Sequence, residues 1–221
     1  MEASISADIV RSTSLTTRDL ILLRDRLYDH FEKLEELYPG FWARIIRGDG
    51  IECYVPNSRD ALRIALLTKL FIKMQVDEFD CSEMLQRHGI RFSIGICQNL
   101  YANRRQDIID GPAIYLSGRN LDDISKSNTI YSAIAIEDCP KPFGNVMDSY
   151  VALLSNLTSS YSAKQSEVVF LKLLGFKEIQ ISKRLNIYQS SVNTRSTIAQ
   201  WNLLHTALRD FETLNFEEIC G

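Results

Sequence analysis

The run Ile45-Ile46-Arg47-Gly48-Asp49-Gly50-Ile51 constrains the fold more than any other stretch of this chain. Ile45 and Ile46 before the turn, and Ile51, Cys53 and Val55 after it, read as two strands, and Asp49-Gly50 is expected to supply the positive-φ residues of a tight hairpin. A hairpin requires a sheet, and this one carries an acid at its tip. Upstream, Ser4 to Ala7 reads as a strand that runs into Asp8 and breaks at the polar Ser12-Thr13-Ser14. If the two strands are neighbours, Asp8 and Asp49 converge. Paired carboxylates are the usual way to hold Mg²⁺ against nucleotide phosphates, because that hard ion keeps its waters and takes only one or two protein acids. A plain Asp-Gly turn beside an exposed Asp gives the same spacing, so spacing alone leaves both readings open.

The rest of the first 155 residues switches between helical and strand periods. Leu20, Leu23, Leu27, Phe31 and Leu34 recur at helical spacing up to a stop at Tyr38-Pro39-Gly40. Ser58 is expected to cap a second helix reaching about Gln75, with Leu62, Ala65, Leu66, Leu70 and Phe71 against a sheet. In the strand Ile90–Cys97, Ile90, Phe92, Ile94 and Ile96 share one side, and Gly95 marks a place where something approaches the backbone closely. A polar, basic loop over 98–107 leads to Asp110-Gly111-Pro112, the start of a helix to about Ser125 with Ile114, Leu116 or Ser117, and Leu121 inward. Residues 129–136 read as a strand, and 146–154 read equally as a strand or a short helix.

That order implies an α+β fold, a ferredoxin-like sandwich of one mainly antiparallel sheet with helices on one face. The polar stretch Ser155–Ser162 reads as a linker, which gives domains 1–155 and 156–221. The second is all helix: Gln165–Leu174 closed by Gly175, Lys177 to about Asn186, and a long third helix from Gln189 towards Leu214.

Hydrophobic content of 45% and charged content of 24% suit a globular chain with a real core. No apolar run approaches the roughly 20 residues that span a bilayer, and no basic-then-apolar leader opens the chain, so a cytoplasmic location without membrane partners is expected. The five cysteines are scattered without a C-x-x-C pair, and reduced thiols are expected rather than a disulfide or zinc framework. Net charge is −3, yet between Lys164 and Arg195 the basic Lys172, Lys177, Lys183 and Arg184 are opposed only by Glu167 and Glu178. That segment suits a polyanion. His30, His88 and His205 are isolated from one another and outline no triad.

Four motifs in order resemble the class III nucleotidyl cyclase catalytic domain, and more closely its small SatD-type relatives. They are Asp8-Ile9-Val10-Arg11-Ser12-Thr13, Gly48-Asp49, the strand Ile90–Ile96, and Gly111-Pro112-Ala113-Ile114-Tyr115-Leu116-Ser117-Gly118-Arg119. The resemblance covers about residues 3–136. It implies Asp8 and Asp49 as metal ligands for Mg²⁺ or Mn²⁺, a nucleotide ligand near Arg47, Tyr115 and Arg119, and Arg119 as the catalytic group steadying phosphoryl charge. It also implies a site formed between two chains. Ile45 stands where purine-specific cyclases carry a base-reading Lys, and Tyr115 replaces the Asn that orients the ribose. These departures point to impaired or altered chemistry.

Downstream, Gly175 followed by Ile181-Ser182-Lys183-Arg184-Leu185-Asn186-Ile187-Tyr188-Gln189-Ser190-Ser191-Val192 resembles the helix-turn-helix of sigma-factor region 4 and LuxR-type regulators. Ile181, Leu185, Ile187 and Val192 would fill a small helical core, and the resemblance implies a recognition helix offering Gln189, Ser190, Ser191, Asn193, Thr194 and Arg195 to DNA. Ile198, Trp201, Leu204 or His205, Leu208 and Phe211 continue an apolar stripe, to be covered by the first domain or by a second copy in a homodimer. The expectation is a DNA-binding transcriptional regulator with a degenerate cyclase-like domain that senses a nucleotide or pairs subunits. An active nucleotidyl cyclase and a sigma-like protein-binding module are the alternatives.

Overall fold

A computed structural model describes residues 1–46, 48–127 and 129–220. Its centre is a five-stranded mixed sheet. Strand β1 (Glu2–Ile9) leads through a short 3₁₀ turn to helix α1 (Thr17–Leu37), then to the hairpin β2 (Trp42–Ile46) and β3 (Gly50–Val55). Helices α2 (Ala61–Lys73) and α3 (Glu83–His88) return the chain to β4 (Ile90–Cys97). The expected loop beyond it folds into a small hairpin, β5 (Tyr101–Asn103) and β6 (Ile108–Asp110), followed by α4 (Pro112–Ser125) and β7 (Ser132–Ile136).

The sheet order is β2-β3-β1-β4-β7. β3 runs antiparallel to both β1 and β2, and β4 antiparallel to β1, which is the four-strand ferredoxin-like arrangement; β7 is added parallel to β4. The fold is therefore α+β as expected. Side chains alternate across the sheet. Ala3, Ile5, Ala7 and Ile9 of β1 and Ile90, Phe92, Ile94 and Ile96 of β4 enter the main core with Leu23, Leu27 and Phe31 of α1 and Leu62, Leu66 and Leu70 of α2.

Helices do not lie on one face only. α4 packs against β1, β4 and β7 from the other side, as a parallel β4-to-β7 crossover requires. That face is lined with small residues. Ser6 Oγ meets Ser117 Oγ at 2.8 Å, and a Cβ on Gly95 would fall on the backbone carbonyl of Ala113. On α4, Ala113, Ser117 and Ile124 are buried, whereas Ile114, Leu116 and Leu121 are half-buried. Serine decides the inward side because the strand beneath leaves no room for leucine.

The hairpin turn also differs from expectation. Ile46 pairs with Gly50, and the positive φ belongs to Gly48 at 92°, not to Asp49-Gly50. The second helix is preceded by a 3₁₀ turn capped by Asn57, whose side chain accepts from the Arg59 amide at 3.3 Å, while Ser58 is buried.

Of the expected linker Ser155–Ser162, only 160–162 lie between helices. Residues 155–159 are the last turn of α5 (Lys141–Ser159), which also absorbs the ambiguous segment at 146–154, so the boundary expected after residue 155 falls inside a helix. Ser155, Thr158 and Ser159 are buried because their hydroxyls are used: Thr158 and Ser159 donate to the Ser155 carbonyl, and Lys69 Nζ reaches Ser155 Oγ and Ser159 Oγ at 2.9 and 2.8 Å. Polar composition mimicked a solvated segment. Lys73 Nζ similarly donates to the Gln86 and Ser159 carbonyls at 2.8 and 3.2 Å. Both lysines thus tie α2 to the carboxyl-terminal ends of α3 and α5, where unpaired carbonyls favour a cation.

The remaining chain forms α6 (Ala163–Leu173), α7 (Glu178–Leu185), α8 (Gln189–Ile198), α9 (Trp201–Thr213) and α10 (Phe216–Cys220). The long third helix expected from Gln189 is broken in two, because Gln200 turns left-handed at φ 52°. α6 packs on α2, and Val168, Val169 and Phe170 share the main core with the sheet. Arg63 on α2 pairs with Glu212, and Tyr150 donates to the Ala207 carbonyl at 2.6 Å, so α9 lies on the body. Cys139 and Cys220 form a disulfide across 81 residues, against the expectation of reduced thiols; Cys53, Cys81 and Cys97 are free. Sequence spacing carried no sign of a pair that meets only when α10 folds back.

Candidate functional site

Two places answer to the residues singled out by the sequence. The first lies at the Asp8 end of β1. Asp8 faces Gly50 on one side and Arg91 on the other, so the sheet register brings the β1 acid beside the hairpin turn. Arg91 is the group that sequence reading missed. Its Nε donates to Asp8 Oδ1 at 2.9 Å and its Nη1 to the Ser125 carbonyl at 3.1 Å. Alternation in β4 already put Arg91 opposite Phe92, but only the register showed which acid it meets. Asp49 is engaged as well, accepting a short hydrogen bond from Ser12 Oγ.

Burial pushes the Asp8 carboxyl above the usual carboxylate range, the Arg91 guanidinium pulls it down, and the Asp49 charge adds a smaller push upward. A cleft of about 350 Å³ opens here, walled by Arg11, Ser12, Thr13, Asp49, Arg91 and Ser125, among others. Arg91 is paired with Asp8, which leaves Arg11 and the hydroxyls of Ser12, Thr13 and Ser125 as the groups an anion would meet beside Asp49. Arg91 takes one oxygen of Asp8 and Ser12 one oxygen of Asp49, so a Mg²⁺ or Mn²⁺ ion held by both acids would share them with these partners. Among the described residues, no group of three or more His, Cys, Asp or Glu gathers to hold an ion.

Tyr115 and Arg119 are not in this cleft. Both are exposed on α4, one turn apart, and Tyr115 donates its hydroxyl hydrogen to Asp110. Arg47, the other expected nucleotide contact, lies outside the described residues.

The second place is the α7–α8 pair. α7 ends at Asn186, left-handed at φ 51°, and the Ile187 amide bonds to the Ser182 carbonyl at 3.0 Å, which turns the chain into α8 after three residues. Ile181 and Val192 are fully buried between the helices, with Leu185 and Ile187 packed against them. That inward set leaves Gln189, Ser190, Asn193 and Thr194 exposed, with Ser191 and Arg195 half-exposed. The charge of Arg195 is close enough to Glu167 on α6 to oppose the upward push that burial gives that carboxyl. Arg184 lies over the Phe176 ring at 5.3 Å, and Lys172 pairs with Glu178 at 2.7 Å. Among the described residues, no helix is long and apolar enough to cross a membrane.

Neither a protein-family model nor a curated protein sequence matches the chain. Among solved structures, a bacterial light-regulated adenylyl cyclase is similar at 16% identity and a TM-score of 0.37, over 60% of this chain and 74% of that one. At that score the fold assignment rests on the strand order itself.

Proposed function

We propose that this chain is a DNA-binding regulator that presents α8 to the major groove, and that its cyclase-like body holds a phosphate-bearing ligand without converting it. The observation that carries the first half is the sidedness of α8: Val192 and Ser196 are buried, while Gln189, Asn193 and Thr194 are exposed among the described residues. Amide and hydroxyl side chains at the start of a second helix suit base edges and phosphates, and the tight turn at Asn186 sets the crossing that lets α8 protrude. Pairing of two copies would present two such helices to successive half-sites. The second half is supported by the Arg91–Asp8 ion pair and by Arg11, which stands with neighbouring hydroxyls in the cleft where an anion would enter.

Fluorescence anisotropy with genomic DNA fragments tests the first half. A bound fragment is expected whose affinity falls linearly in log–log form with salt, and Asn193→Ala with Thr194→Ala is expected to weaken it by about 1–3 kcal/mol. Affinity no better than for random DNA would end this reading. Incubation with the four nucleoside triphosphates and Mn²⁺ tests the second half and is expected to leave all four intact. A cyclic product lost in Asp49→Asn would show an active enzyme instead.

A further inference from the structure

Between the body and the α7–α8 pair lies a cavity of about 200 Å³ that neither reading above uses. Leu34, Phe71 and Met74 line it from α1, α2 and the residue after α2; Phe170, Leu174 and Leu185 line it from α6, α7 and the turn between them. One wall is an aromatic group. His30 stacks on Phe71 with ring centroids 4.3 Å apart, and Phe170 tilts against both at 5.7 and 5.9 Å. His30 is only 2% exposed and burial pushes it down to about 3, so the ring is neutral. The Thr68 hydroxyl gives its hydrogen to the Ile64 carbonyl at 3.0 Å, which makes His30 Nε2 the donor in its 3.3 Å contact with Thr68. An uncharged imidazole held flat on a phenyl ring offers an occupant an aromatic surface.

Charge at this cavity is uneven. Lys33, one turn beyond His30, is exposed, and its charge reaches the imidazole; Arg184 joins it from α7. Against these two cations stands Glu167, whose carboxyl burial holds above the ordinary range while Arg195 and Lys164 pull it down. An apolar interior with an excess of cations selects an apolar body with one negative charge. The volume is below the roughly 300 Å³ at which drug-sized pockets begin, which limits the occupant to about one ring. We infer that this cavity is a binding site for a small aromatic monocarboxylate of benzoate size, with its ring against Phe71 and Phe170 and its carboxylate towards Lys33 and Arg184. The site stands on the cavity alone, whether or not α8 reads DNA. Because its walls come from α1 and α2 on one side and α6 and α7 on the other, an occupant would bear on how the helix pair sits on the body.

Sodium benzoate is the probe, titrated into the full chain by calorimetry with thermal unfolding in parallel. Saturable binding that raises the unfolding temperature is expected, with benzyl alcohol at least about tenfold weaker. Lys33→Gln combined with Arg184→Gln changes only surface side chains and should weaken benzoate by about tenfold or more. Leu174→Phe should abolish binding by filling the cavity, with circular dichroism confirming that the variant is folded. No saturable binding to the folded wild-type chain, or equal binding by wild type and the Lys33/Arg184 variant, would overturn the assignment. Neither readout involves DNA, so failure here and failure of the groove-reading proposal are separate results.

Discussion

Arg91 reads in the sequence as one polar position in an apolar strand, and its importance comes from standing across from Asp8 in the sheet. The same is true of Lys69 and Lys73, which sit among leucines on α2 and are both 0% exposed. No carboxylate pairs with either among the described residues; their partners are serine hydroxyls and the carbonyls that end α3 and α5. Burial drives Lys69 well below the ordinary lysine range and lowers Lys73 to about 7. For Lys73 the sign follows directly. Below about pH 7 folded and unfolded chains are both protonated, and the fold bears the whole cost of burying the ammonium. Between about 7 and the ordinary 10.5, the unfolded chain keeps a proton that the folded chain has released, so stability rises with pH. Urea unfolding should therefore show stability increasing from pH 7 to 9, by at most about 1.4 kcal/mol per pH unit from this group. Lys73→Met should remove this group's share of that rise and leave the share from Lys69, and an unchanged slope in the variant would assign all of it elsewhere.

Among the elements, β4 was the most legible and α4 the least. Strict alternation over eight residues made Ile90–Cys97 a strand with the observed bounds, and Gly95 already announced a close approach. What approaches is the backbone of α4 at Ala113, so the helix rides directly on the strand. Gly95→Ala should cost about 3 kcal/mol or more, since neither backbone can yield without opening the β1–β4–β7 face. A thermal melt reads this, and a wild-type midpoint would show that α4 can lift off freely. The inward face of α4 was only half-readable because a helix packed on serines and glycine buries small residues, and the hydrophobic pattern then points at its flanks. The break at Gln200 was hidden for a similar reason: the apolar stripe continues through it, with Ala199 and Leu204 both buried. Periodicity reports which side is covered, not whether the axis is continuous.

For the whole molecule, the covalent link between Cys139 and Cys220 fastens the last helix to the segment between β7 and α5. Thiol titration of the chain unfolded without reductant should count three free thiols, Cys53, Cys81 and Cys97, and all five after reduction. Closing a loop of this length is expected to contribute about 2–4 kcal/mol, so Cys220→Ser should lower the unfolding temperature; five thiols without reductant would remove the link. The α6–α8 helices meanwhile share the core of the sheet through Val168, Val169 and Phe170 of α6, Ile181 of α7 and Val192 of α8.

The sequence alone determined the element types over most of the chain, the α+β class, and the turn between α7 and α8. Each is written in local periods and in residues such as Asn186 that tolerate the left-handed backbone of a helix end. Tertiary structure alone decided that Arg91 meets Asp8, that the serines near 155 are buried under Lys69, and that Cys139 reaches Cys220. These are contacts between segments about 80 or more residues apart, set by register and packing, and no local spacing encodes them.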